Sequence, residues 1–309
     1  MRSPLARLTR TRLPGDVHRT GSAPPRWLML SRRYASRSVP VDHDLERRTV
    51  LGFRIAITVF RTAGANTGRT RSSAPAGIGA AGPAAGRPSF VLVHGIGVSS
   101  RYFHPVAALL AEHGTVLAVD LPGYGESPRV RRDVTLADHA AVVAEVIRTH
   151  GLVDPVVVGH SMGAQIVARL AVDHPGVADR LVLIAPTLPP RTRGLLRAAV
   201  ALSVDMLREP LLANVIVLGD YLLRCGIPYY VRQLPHLIGD AIEERAPRIR
   251  ARTLVIVGDR DAVVDRAFAR DLADRIPRGT YRVARGPHVV MQTDPVGVAR
   301  AIVEHARVG

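Results

Sequence analysis

At 309 residues and 33.3 kDa, 47% of them hydrophobic, the chain can bury one large core or two small ones. Its formal charge of +16 suggests nucleic acid, but residues 1–88 hold 16 Arg against 4 acids, which is three-quarters of the excess. All 42 basic residues are arginine, and no recognition motif or aromatic-interleaved basic patch accompanies them, so no nucleic-acid partner is expected.

With abundant Ala, Gly and Pro, the absence of lysine points to a high-GC bacterial genome. The single cysteine, Cys225, excludes an intramolecular disulfide and a cysteine-cluster metal site. No window of 18 uncharged apolar residues occurs, so no integral membrane segment is expected; the single cysteine fits a reducing compartment, and a cytoplasmic location is expected. Oligomeric state leaves no signature in the sequence.

In chain order, residues 1–48 are Arg-rich and aperiodic and read as a disordered tail. Their longest apolar piece, "WLML" at 27–30, is too short for a secretory signal. Met29 offers an alternative start that would leave residues 1–28 outside the protein. "TVLGFRIAITVF" (49–60) alternates as an edge strand, followed by a Gly/Ala/Pro-rich linker to residue 89. The linker has many glycines but no phosphate-loop pattern and no lysine to complete one.

From residue 90 short apolar runs alternate with helical spacing. "FVLVHG" (90–95), "VLAVD" (116–120), "PVVVGH" (155–160) and "RLVLIAP" (180–186) are separated by helical patterns at 102–114, 135–151 and about 162–173. "RTLVIVGD" (252–259), a helix over about 264–275, "TYRVAR" (280–285) and a last helix from about 295 continue the rhythm. Continuous apolar strands alternating with helices predict a mostly parallel, doubly wound α/β sheet, covered on both faces. Residues 187–250 interrupt it as a helical cap, with Pro210, Pro228 and Pro235 expected at helix ends, after the fourth clear strand. The core is thus expected over 90–186 and 251–309.

Ligands of such sheets bind beyond the carboxyl ends of the strands. At those ends the first three runs lead into His94-Gly95-Ile96-Gly97, "DLPGYGES" (120–127) and Gly159-His160-Ser161-Met162-Gly163. The fourth run leads into "PTLPP", the fifth into "DRDAVVD" and the sixth into "GPHVV", with His288. Serine, acid and histidine therefore arrive in chain order at one edge of one sheet.

These segments resemble the α/β-hydrolase superfamily: a G-x-S-x-G elbow between strand and helix, HG-x-G upstream, acid and histidine downstream. The resemblance covers residues 90–186 and 251–305. It implies Ser161 as nucleophile and His288 as general base, with Pro287 standing where many members carry glycine. Asp259, Asp261 and Asp265 compete for the acid; the family's usual spacing after the glycine, here Gly258, selects Asp261, with Asp259 the fallback. The backbone N–H groups of Met162 and Ile96 would form the oxyanion hole.

Neither metal nor organic cofactor is implied. The expected activity is hydrolysis of a small hydrophobic ester, lactone or thioester with an apolar acyl part, through an acyl-enzyme. Carbon–carbon bond hydrolysis, cofactor-free perhydrolysis and a triad-bearing small-molecule receptor with little turnover are the alternatives on the same fold. His94 is expected to shape its loop, His160 to pack beside the elbow, and Asp120, Cys225, Tyr229 and Tyr230 to serve structure.

Overall fold

The computed structural model describes residues 41–62, 87–186, 189, 194 and 225–307. Its strands are β1 (Val41–Val50), β2 (Phe53–Thr62), β3 (Ser89–Val93), β4 (Thr115–Asp120), β5 (Val156–His160), β6 (Arg180–Ile184), β7 (Arg252–Gly258) and β8 (Gly279–Ala284). They form one sheet in the order β1-β2-β4-β3-β5-β6-β7-β8. β1 and β2 pair antiparallel, as do β2 and β4; every other neighbouring pair is parallel.

The helices are α1 (His104–Ala111), α2 (Leu136–Thr149), α3 (Met162–Asp173), α4 (Ile227–Gly239), α5 (Ile242–Arg245), α6 (Arg266–Arg275), α7 (Val290–Thr293) and α8 (Pro295–Arg307). α1 packs beside α8 and α2 beside α3. Every residue of β3 and β5 is buried, the reason their sequences run apolar without alternation. α2 starts at a capping box: Thr135 Oγ1 accepts the Asp138 N–H at 3.1 Å, and Asp138 Oδ2 accepts the Thr135 N–H at 2.9 Å.

Three expectations are corrected. Residues 41–48, read as the end of a disordered tail, belong to β1. The stretch 49–60 is not one strand: Leu51 and Gly52, both with positive φ (49° and 78°), form a tight turn that folds β1 onto β2. β1 therefore takes the sheet edge, and β2 lies inside it. The acid-and-arginine alternation of β1 looks like tail composition, yet charged side chains are what an exposed edge strand tolerates. Pro235, expected at a helix end, lies within α4. It sits on an exposed side, as does Val231, whose carbonyl the proline leaves without its helical donor and open to water.

Between β6 and β7 the described part of the expected cap comprises α4, α5 and a short 3₁₀ turn at Ala246–Arg248. Residues 187–224, apart from 189 and 194, and the linker 63–86 lie outside the described residues. α4 buries Tyr229, Gln233 and Leu237, one face at four-residue spacing. That face reaches the core by polar contacts: Tyr229 Oη donates to Pro122 O at 2.7 Å, Gln233 Nε2 to Val134 O at 3.0 Å, and Gln165 Nε2 of α3 to Leu237 O at 2.9 Å.

Candidate active site

Ser161 joins β5 to α3 with φ 55° and ψ −120°, a conformation that a non-glycine residue rarely adopts. Its N–H still donates to Ile184 O at 3.0 Å, so the bend is made inside the sheet rather than in a loose loop. Both flanking glycines are demanded by contact. A Cβ on Gly159 would lie 2.3 Å from Gly163 O, and one on Gly163 would lie 2.2 Å from Val93 O. Helix α3 thus enters hard against β3 and β5, and its N-terminal turn begins at the serine.

The other two strand ends bring acid and histidine together. Asp261 Oδ2 lies 3.0 Å and Oδ1 3.2 Å from His288 Nδ1, with the Asp261 side chain fully buried and that of His288 6% exposed. Asp261 Oδ1 also accepts the N–H groups of Val263 and Val264, at 2.8 and 2.9 Å. This carboxylate is held from two sides, and the ring that donates Nδ1–H to it carries its lone pair on Nε2. The competing aspartates have other tasks: Asp259 Oδ1 accepts the Gly286 N–H at 2.8 Å, and Asp265 caps α6 through the Phe268 N–H at 2.8 Å. His288 adjoins the elbow through His160, whose Nε2 lies 3.1 Å from the His288 carbonyl oxygen, the rings 4.7 Å apart.

The loop after β3 closes on the same serine: a Cβ on Gly95 would sit 3.2 Å from Ser161 Cβ. His94 holds this loop. Its Nε2 accepts the Leu121 N–H at 3.0 Å, which puts the ring proton on Nδ1, donated to Gly95 O at 2.7 Å. Ile96, next in the chain, is half-buried; Met162, first residue of α3, is fully buried. Ser161, His288, Asp261, Met162 and the Ile96 loop are therefore brought to one end of the sheet.

The family model for the alpha/beta hydrolase fold matches residues 88–216. An enol-lactonase from Burkholderia xenovorans superposes with a TM-score of 0.68 at 19% identity, covering 85% of this chain and 100% of that one. The chain has the α/β-hydrolase fold. A pimeloyl-[acyl-carrier protein] methyl ester esterase of Chromobacterium violaceum is 28% identical over 247 residues, 71% of this chain and 94% of that protein. An uncharacterized protein of Mycobacterium tuberculosis is 32% identical over 141 residues, 46% of this chain; the chain covers only 34% of that protein's length.

Within this α/β-hydrolase fold Asp120 holds two neighbouring backbone segments together. Asp120 binds the Ser100 N–H at 2.7 Å through Oδ1 and the Glu126 N–H at 2.8 Å through Oδ2. Cys225 is buried. Among the described residues no group of three or more His, Cys, Asp or Glu could hold a metal ion, and no helix is long and apolar enough to cross a membrane. Sequence reading overlooked Tyr102, whose hydroxyl lies 2.8 Å from Gly95 N and 2.9 Å from His160 Nδ1. No motif marks it, because its partner His160 is 58 residues away.

Proposed function

We propose that the protein is a serine hydrolase that cleaves a carboxylic ester, lactone or thioester with an apolar acyl part. In this reading Ser161 Oγ attacks the carbonyl carbon while His288 Nε2 takes the hydroxyl proton. Asp261 stabilises the imidazolium, and the N–H groups of Met162 and Ile96 receive the oxyanion, aided by the positive end of α3. Collapse of the tetrahedral intermediate breaks the C–O or C–S bond as His288 returns the proton to the leaving group. Water, deprotonated by the same ring, then releases the acid and restores Ser161.

One observation carries the reading: a buried Asp261–His288 pair at 3.0 Å, linked through His160 to an over-bent serine at the same end of the sheet. The strain at Ser161 lends weight, since folds keep such conformers where function uses them. The Chromobacterium relative, an esterase by name, is matched over 94% of its length and agrees with an ester substrate. Residues 187–250, rich in Leu, Val and Ile, are read as the cap over an apolar acyl pocket on the core of 90–186 and 251–309.

The test is hydrolysis of p-nitrophenyl esters from short to long acyl chains by the wild type and Ser161→Ala. Turnover that disappears in the variant is expected, with the best chain length sizing the pocket. A folded wild type inert towards every chain would sink the ester reading and shift weight to carbon–carbon hydrolysis, perhydrolysis or ligand reception.

A further inference from the structure

A buried chain of three hydrogen bonds runs between the loop after β3 and the loop that carries His288. Gly95 N lies 2.8 Å from Tyr102 Oη, Tyr102 Oη 2.9 Å from His160 Nδ1, and His160 Nε2 3.1 Å from His288 O. The two ends dictate its direction, because a backbone N–H can only donate and a carbonyl can only accept. Tyr102 Oη accepts from Gly95. At the other end the His288 carbonyl needs a proton on His160 Nε2, so the neutral ring is bare at Nδ1 and takes the Tyr102 hydroxyl proton. Of the forms of this imidazole, only the neutral Nε2–H tautomer satisfies all four groups.

A His160 protonated on both nitrogens would set Nδ1–H against the tyrosine hydroxyl. Tyr102 and His160 are 2% and 3% exposed, so bulk water does not repair such a break. Burial, then the neighbouring His288, holds the His160 ring well below the ordinary imidazole range, with His94 adding to the effect.

The geometry points to Tyr102 and His160 as positioning residues that lock the Ile96 N–H and the His288 ring into register across Ser161. The Gly95 unit is gripped twice, at N–H by Tyr102 and at C=O by His94. In a trans peptide the C=O and the following N–H point opposite ways, so holding Gly95 O also aims the Ile96 N–H. At its far end the same chain holds the backbone of His288. His160 precedes the nucleophile, so one relay spans the three loops of the site. The inference rests on the serine-hydrolase reading for its purpose, though not for the relay itself.

Two measurements on the full chain test it. The first is the ¹⁵N imidazole spectrum of His160: protonated Nε2 and bare Nδ1 are expected, unchanged from about pH 5 to 8. A ring that titrates in that range, or carries its proton on Nδ1, overturns the relay, whatever the protein's activity.

The second is the rate at which a fluorophosphonate labels Ser161. In that step the Oγ–P bond forms, the P–F bond breaks, fluoride leaves and His288 takes the serine proton. Tyr102→Phe keeps the ring and removes only the hydroxyl. Its saturating labelling rate is expected to fall about 10- to 100-fold, the scale of a small misplacement, with the half-saturating concentration unchanged. Adding it to His160→Ala should cost nothing further, and His160→Gln, which keeps a donor and an acceptor, should retain more of the rate than His160→Ala. Equal labelling of wild type and Tyr102→Phe overturns the positioning role. A wild type that resists labelling while His160 shows the expected tautomer would remove the hydrolase reading, and with it the relay's purpose, but not the relay.

Discussion

Asp259 and Asp261, two residues apart after β7, hold the loop of His288 at different points. Asp259 takes the backbone N–H of Gly286 at 2.8 Å, and Asp261 takes the ring nitrogen of His288 at 3.0 Å. Their substitutions should therefore separate. Asp261→Asn offers the ring an amide that can favour the wrong tautomer and should lower kcat by about 10⁴-fold on an ester that the wild type cleaves. Asp259→Asn keeps an oxygen for the Gly286 N–H and should cost less than about 10-fold. Steady-state kinetics of the two variants decide it, and a reversed order would make Asp259 the orienting acid.

Ser161 is held at φ 55°, where a side chain costs about 1–3 kcal/mol. Ser161→Gly removes the strain but gives back about 0.5–1 kcal/mol of backbone entropy. The variant should be inactive yet more stable by about 1 kcal/mol, a rise of roughly 2–4 °C in Tm. Gly163→Ala should do the opposite, because its Cβ would meet Val93 O at 2.2 Å. Thermal melts of both check the elbow independently of any substrate, and a destabilised Ser161→Gly would contradict a strained serine.

Buried histidines make stability fall in acid, His305 of α8 among them and three others more strongly. Burial is the first cause in each: it brings His104 down to about 3 and His139 to about 4, and holds His160 well below the usual imidazole value. In the unfolded chain all three titrate near pH 6.5. Their folded values lie lower, so between about pH 6.5 and 4 the unfolded state binds more protons, and stability drops as pH drops. Three protons correspond to a slope of up to about 4 kcal/mol per pH unit, while above about pH 7 these groups contribute none. His104→Phe, a swap beside the Phe60 ring at 5.0 Å, should remove about one-third of that slope in urea melts across pH. A profile flat from pH 7 to 5 would mean that these rings gain partners on protonation.

How much could be read without coordinates was set by the burial of each segment. The runs at 90–93, 156–158 and 181–184 are apolar because both faces of the sheet are covered, and the residues after them fall at one edge by topology alone. Gly159 and Gly163 could be noticed as a pattern, but their cause, contact with backbone oxygens from β3 and α3, is a packing fact. β1 escaped because an edge strand carries Asp42, Asp44, Glu46 and Arg48 much as a solvated tail would. Three aspartates within seven residues could not be told apart by spacing alone; the turns at Val263 and Phe268 and the reach to Gly286 separate them. Tyr102 was invisible because its role depends on two loops that only the folded sheet brings together.

Where the chain returns from the segment 187–250 to β7, a buried ion pair holds it. Arg245 meets Asp240 by two parallel bonds, Nη1 to Oδ2 at 3.1 Å and Nη2 to Oδ1 at 2.7 Å, with side chains 9% and 3% exposed. Arg169 of α3 stands 3.8 Å from the same carboxylate, so the pair ties α4 and α5 to the helix that begins at Ser161. The desolvation of two charges offsets much of their attraction, and the intact pair adds little net stability. Removing one partner is another matter, since it leaves a buried charge alone. Arg245→Met should cost about 3–5 kcal/mol, softened by whatever Arg169 can supply. The double variant Asp240→Leu/Arg245→Met should recover much of that loss, and denaturant melts of the single and double variants give the coupling. If Arg245→Met costs less than about 1 kcal/mol, Arg169 alone satisfies Asp240 and the return segment is anchored by Gln165 and its apolar neighbours instead.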